Sequence, residues 1–166
     1  MNKIINRLDS VHQRVLEIVL PVDLDRFQRR PTENEWSIAE ILDHLHLVEE
    51  RVIKELEKAL AGEPQKAGLL GRIIPTSIVA SRLVRVSAPK AVVPTRHPEK
   101  HTAIENLESS RKRLKELCAR EGQQRLRQIV MNHPFLGRID GTAAVSFVSY
   151  HELRHYKQIR EVLRKS

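Results

Sequence analysis

The chain has 166 residues, enough for one domain with a buried core, and its 40% hydrophobic and 30% charged content excludes a disordered chain. A single cysteine, Cys118, excludes an intrachain disulfide or a zinc site built on several thiolates, and a reducing, cytoplasmic setting is the expectation. The net charge of +8 permits contact with nucleic acid or an anionic membrane, but the basic residues are spread out and Arg111-Lys112-Arg113 has no interleaved aromatics, so a solvated basic surface is expected.

The first stretch, Asn2 to Leu20, places Ile4, Ile5, Leu8, Val11, Val15, Ile18 and Val19 at spacings of three and four. This periodicity predicts an amphipathic helix closed by Pro21. Asp9, His12, Arg14 and Glu17 interrupt its apolar face, which argues against a signal peptide. His12 reads as a partly exposed helix residue. Residues 21–35, with Pro21, Pro31 and several charges, read as a connecting loop.

A second long helix follows. Ser37 and Glu40 form a capping-box pattern, and Ile38, Ile41, Leu42, Leu45, Val48, Val52, Leu56 and Leu60 form the buried stripe. Gly62 is a plausible C-cap and Pro64 a stop. Trp36, just before the cap, reads as a staple onto the core. His44 and His46 lie on opposite shoulders of the apolar stripe, so periodicity leaves open which one faces inward.

Residues 63–98 are punctuated by Pro64, Pro75, Pro89, Pro94 and Pro98. Between them, LLGRIIPTSIVASRLVRV is apolar and basic without acids. Short helical or irregular segments over the bundle are expected, because Pro75 breaks the one candidate helix of useful length; an amphipathic patch against an anionic membrane or a partner is the alternative. No apolar run is long enough to span a membrane. A third long helix is expected from about Glu99 to Arg120, with Ile104, Leu107, Leu114 and Leu117 inward and Gly122 as its end. His97 and His101 stand one turn apart across that helix start, but the intervening Pro98 argues for exposed residues. Cys118 reads as a buried apolar residue.

Residues 123–141 hold a short apolar segment, Leu126 to Met131, and then NHPFLGRIDG, read as a turn region without strands. His133 reads as a hydrogen-bonding loop residue, and Asp140 or Thr142 as the cap of the last helix. That helix, Thr142 to Lys165, has no Pro or Gly, and Val145, Val148, Leu153, Tyr156, Ile159 and Leu163 recur at helical spacing. His151 and His155 are four residues apart, so both imidazoles lie on one side, one turn apart, and could chelate one metal ion from a rigid rod. Gln158 lies about one turn further along that side. The whole chain, residues 1–166, reads as a single all-α domain, a four-helix bundle with a long Pro-rich crossover between its second and third long helices.

EWSIAEILDHL, followed far downstream by HPFLGRIDGTAAVSFVSYHELRHYKQI, resembles the DinB-like superfamily of metal-binding four-helix bundles. Members carry a Trp-Ser helix start with a His eight residues after the Trp, matched here by Trp36 and His44, and a His-x-x-x-His-x-x-Gln pattern in the last helix, matched by His151, His155 and Gln158. The resemblance implies a divalent metal, often zinc or nickel, held by His44, His151 and His155. It thereby favours His44 over His46, a choice the helical wheel leaves open. Among relatives it implies either transfer of a low-molecular-weight thiol or metal-dependent hydrolysis. The Pro-rich segment 63–98 departs from the family and leaves the substrate class open.

Three neutral imidazoles leave at least one coordination position open, which suits activation of a water or of a small thiol. Gln158 is a candidate to orient a ligand or substrate. Glu40, one turn before His44, is a candidate outer partner, though its capping role competes. The expected function is therefore that of a metal-dependent thiol transferase or hydrolase acting on a small molecule. A metal-binding or stress-related interaction module without catalysis, and a basic nucleic-acid or membrane-surface binder, are the alternatives. No specific nucleic-acid partner is expected, and a homodimer is left open.

Overall fold

The computed structural model describes residues 1–63, 92–94, 97–134 and 136–165. Its elements are α1 (Asn2–Val19), α2 (Leu24–Gln28), α3 (Ile38–Leu60), α4 (Lys100–Arg127), β1 (Val130–His133), β2 (Gly137–Asp140) and α5 (Gly141–Lys165). The four long helices make a bundle in which α3 packs against α4 and α5, and α1 packs against α5. Most of the Pro-rich stretch, including Pro64, Pro75, Pro89 and LLGRIIPTSIVASRLVRV, lies outside the described residues. None of the described helices is long and apolar enough to cross a membrane.

Local chemistry explains the helix starts. In α3 the Glu40 amide donates to Ser37 Oγ at 3.2 Å, and the Ser37 amide donates back to Glu40 Oε2 at 2.9 Å. This reciprocal pair satisfies two donors that the helix itself cannot. At α5, Asp140 performs the capping: its Oδ1 accepts from the Ala143 amide at 2.8 Å and from Thr142 Oγ1 at 2.6 Å. The loop read between residues 21 and 35 contains the five-residue α2. Asp23 Oδ1 caps it by accepting from the Arg26 amide at 2.8 Å, and it buries Phe27 completely. One turn is too short to show a periodic stripe, so only the cap residue could have signalled it.

Two further expectations are corrected. Gly122 interrupts α4 rather than ending it: its φ of 72° and ψ of 164° break the helix, and helical structure then resumes to Arg127. A left-handed φ favours glycine because it has no Cβ to clash. The continuation carries Leu126 fully into the core. The turn region after it does contain strands. β1 and β2 pair antiparallel in the register Val130–Asp140, Met131–Ile139, Asn132–Arg138 and His133–Gly137. Met131, His133 and Ile139 are buried and Asn132 and Arg138 exposed, an alternation too short to stand out in sequence. The hairpin delivers the chain to Gly141, where a Cβ would lie 2.7 Å from the Leu126 carbonyl; glycine permits that close approach.

The apolar interior forms two clusters. One gathers Leu8, Val48, Val52, Leu114, Leu126, Ile139 and Val148. The other gathers Val15, Phe27, Ile38, Leu42, Leu107 and Ile159. On α1, α4 and α5 a polar residue stands between the two contributions, namely His12, Arg111 and Glu152, and on α3 Glu49 lies directly after Val48, at the edge of the first cluster. Arg111 bonds Glu49 Oε1 through Nε at 2.7 Å, Glu152 Oε2 through Nη2 at 2.9 Å, and the Leu8 carbonyl through Nη1 at 2.9 Å.

Removing one member of a buried ion network strands the others without water. Arg111→Ala should therefore cost about 3–5 kcal/mol in denaturant unfolding. Arg113 pairs with Glu50 at 2.7 Å but is 45% exposed, so Arg113→Ala should cost no more than about 1 kcal/mol. Equal losses in the two variants would contradict the buried network.

Candidate metal centre

His44 stands two turns inside α3, while His151 and His155 stand on successive turns of α5. The bundle brings the three together: one potential ligand atom from each lies within 4.8 Å of the other two. Among the described residues this is the one group of three or more metal-ligating side chains so placed. His44 Nε2 and His151 Nε2 are 3.3 Å apart. The ring centroids are separated by 5.1 Å for His44–His151, 4.8 Å for His44–His155 and 4.6 Å for His151–His155.

Outer contacts fix which nitrogens face the centre. His44 Nδ1 is 2.6 Å from the Val92 carbonyl oxygen. A carbonyl can only accept, so Nδ1 donates and Nε2 keeps its lone pair. His155 Nδ1 is 2.8 Å from Gln158 Oε1, which assigns that ring the same tautomer. The hydrogen-bond chemistry thus prepares Nε2 of His44 and of His155 as donors toward one point.

The surroundings keep the imidazoles uncharged. Burial pushes the His44 pKa down, opposed by its bond to Val92. Burial, followed by the neighbouring His44, Arg154 and His133, holds His151 well below the ordinary value. Burial, followed by His151 and His44, does the same to His155. Neutral imidazole is the form that ligates metal. In a tetrahedral site with metal–nitrogen bonds of about 2.0–2.1 Å, two ligand nitrogens stand ~3.4 Å apart. The 3.3 Å between His44 Nε2 and His151 Nε2 matches that edge. The donor set therefore fits a divalent ion that accepts nitrogen ligands.

Two aromatic side chains wall the cluster. The Trp36 ring lies 4.9 Å from His44 and stacks on His155 at 6.3 Å, with a 15° angle between planes. Phe147 lies 5.2 Å from His151 and 4.2 Å from His133. The staple reading of Trp36 missed this: the same ring covers two of the histidines. Its sequence signal was its place just outside the Ser37 cap, which points it along the helix face that carries His44.

The remaining candidates separate cleanly. His46 is half-buried and outside the cluster, so the structure resolves what the wheel left open. Glu40 is committed elsewhere: Oε2 accepts from the Ser37 amide and from Arg30 Nε at 2.8 Å, and Oε1 accepts from Arg30 Nη2. Exposed His97 lies 3.9 Å from Glu40, and exposed His101 pairs with Glu105 at 3.1 Å. His133 is a hydrogen-bonding residue as read: its Nδ1 accepts from the Leu136 amide at 3.1 Å, and burial together with Arg51 lowers its pKa to about 4. Cys118 is buried, and its burial followed by the nearby Glu49 raises its pKa to about 11, which leaves it an inert thiol.

Comparison with known proteins places this architecture. An uncharacterized protein of Bacillus subtilis (strain 168), YuaE, is 24% identical over 142 residues, spanning 85% of each chain. Two solved structures share the fold. The four-helix bundle protein TT2238 superposes with a TM-score of 0.65 at 18% identity, covering 96% of this chain and 98% of its own. YfiT from Bacillus subtilis, described as a probable metal-dependent hydrolase with an unusual four-helix bundle topology, gives a TM-score of 0.68 at 15% identity, over 98% of this chain and 85% of its own. The DinB superfamily model matches residues 7–159, which takes in α3 and α4 whole, most of α1 and α5, and the three clustered histidines. On that match, the chain belongs to the DinB superfamily.

Proposed function

We propose that His44, His151 and His155 hold a divalent metal ion, zinc or nickel, and that this centre serves a hydrolase or a thiol transferase acting on a small-molecule substrate. The observation that carries the reading is the convergence of three imidazole donors within 4.8 Å. When bound, the ion supplies Lewis acidity at a position the three histidines leave open. The chain's own groups do the rest. The Val92 carbonyl and Gln158 hold His44 and His155 with Nε2 inward, and Gln158 acts there as a positioning residue. Trp36 and Phe147 line the cluster with apolar rings, which limits solvent on those sides. Glu40 acts at one remove, by fixing the α3 start from which His44 projects.

The description of YfiT as a probable metal-dependent hydrolase supports the hydrolytic branch. The thiol-transfer branch requires an added low-molecular-weight thiol, because Cys118 is buried and held protonated. Chelated and metal-restored protein, screened on ester and amide substrates with and without such a thiol, divides the two branches. Metal-restored turnover of neither kind would reduce the function to metal binding alone.

Titration of chelated protein with Ni²⁺ or Zn²⁺ should show one ion per chain. His44→Ala and His155→Ala should weaken binding by more than the ~10–100-fold that loss of an outer partner costs, and Gln158→Leu by an amount within that range. His46→Ala should bind as the parent does. Stoichiometric tight binding by His155→Ala would sink the three-histidine assignment.

A second prediction concerns acid. An unfolded histidine titrates near about 6.5, and the folded values of His44, His151 and His155 are lower. The stability they confer is therefore fully present above about 6.5 and is lost as pH falls below it, because the unfolded chain takes up protons the fold refuses. Thermal melting of chelated protein should decline between about pH 7 and pH 5, and a variant with all three changed to Asn should decline less. The extra stability given by metal should persist below about 6.5 and vanish only where the folded imidazoles themselves protonate. Parallel pH profiles for parent and variant would contradict the buried neutral imidazoles.

A further inference from the structure

We infer that Arg111 is a positioning residue for the three-histidine centre, acting through Glu49 and Glu152 on the two helices that carry the histidines. The inference rests on the metal-binding reading of the site. Glu49 lies on α3 five residues beyond His44, and Glu152 lies on α5 directly after His151 and three residues before His155. A single guanidinium from α4 bonds both carboxylates, at 2.7 Å and 2.9 Å. Its planar fork fixes the separation and angle of the two carboxylates more tightly than apolar packing would.

The network extends to every long helix. Arg111 Nη1 donates to the Leu8 carbonyl of α1 at 2.9 Å. His12, also on α1, stands 3.1 Å from the second oxygen of Glu152. Ser110 Oγ donates to the second oxygen of Glu49 at 3.2 Å. Arg111, Glu49 and Glu152 are only 4%, 1% and 1% exposed. Along their helices Arg111 and Glu152 sit between the two apolar clusters, and Glu49 lies beside Val48 at the edge of one of them, a level at which hydrophobic side chains would otherwise close the core.

That substitution is informative because of what ion networks do inside proteins. Burying them gives little net stability, and apolar replacements of similar volume are often neutral or stabilising. Apolar side chains, however, tolerate small sliding of one helix along another. Helical residues rise 1.5 Å each, so a slide of one residue exceeds the tolerance of a metal–nitrogen bond. The 3.3 Å between His44 Nε2 and His151 Nε2 depends on the same α3–α5 offset that Arg111 clamps.

The test uses the full chain loaded with Co²⁺, whose visible absorption bands report coordination geometry. The triple variant E49L/R111M/E152L removes the clamp without stranding a buried charge. It should melt as a helical protein near the parent temperature, bind Co²⁺ ~10–100-fold more weakly and show shifted bands. R113M, at the exposed Arg113–Glu50 pair, should match the parent in both readouts. A folded triple variant with the parent's affinity and spectrum would overturn the inference. If the triple variant does not fold, Arg111→Lys decides: it keeps the charge and loses the fork, so weakened binding with shifted bands supports the clamp and an unchanged spectrum and affinity overturn it. Failure of the parent chain to bind Co²⁺ through its histidines would instead contradict the metal centre itself, and the clamp with it.

Discussion

Three imidazoles can share one small volume inside a helical bundle only if all three stay neutral, because positive charges a few ångströms apart and out of water repel strongly. Much of the structure around His44, His151 and His155 follows from that constraint. Burial and mutual proximity depress their proton affinity. The Val92 carbonyl and Gln158 Oε1 accept hydrogen bonds from Nδ1–H of two rings, which leaves the lone pairs on Nε2. Trp36 and Phe147 lie against the rings. Neutral lone pairs gathered within 4.8 Å suit a cation, so the arrangement makes chemical sense as the protein's share of a coordination polyhedron.

The constraint also bears on the bundle's architecture. The donors come from two helices, so their geometry is only as good as the register between α3 and α5. Capping boxes and Asx caps fix where each helix begins: Ser37 with Glu40 for α3, and Asp140 for α5. Apolar clusters fix which faces meet, but tolerate sliding. The polar layer of Glu49, Arg111, Glu152 and His12 provides directional bonds at the level where sliding would do harm. A division of labour results, in which hydrophobic burial holds the bundle together and charged hydrogen bonds set its register.

The sequence makes the helices of this bundle legible because their apolar residues recur over many turns, and the α3 cap because Ser37 and Glu40 form a known pattern. His151 and His155 are legible as a pair because they share one helix. The choice of His44 over His46 is not, since a wheel gives spacing and not the direction of the partner helix; it came from the resemblance to the DinB-like superfamily. The pairing of β1 with β2 and the single turn of α2 escaped because each is shorter than the window that periodicity needs. Arg111 escaped for another reason. In sequence it sits inside a basic run, Arg111-Lys112-Arg113, and only the fold shows that one of the three points inward between two carboxylates. Trp36 packs as the staple reading expects, but its contact with His155 depends on a helix more than a hundred residues away.

X-ray absorption at the metal edge of Ni²⁺- or Zn²⁺-loaded protein tests the central claim most directly, because it counts and identifies the ligands of the ion itself. The account predicts three imidazole nitrogens and at least one further light ligand, with first-shell distances near about 2.0–2.1 Å, and no sulfur. In His44→Ala the imidazole count should fall. A sulfur scatterer at about 2.3 Å, or an imidazole count unchanged by His44→Ala, would show that the ion sits somewhere other than the cluster of His44, His151 and His155.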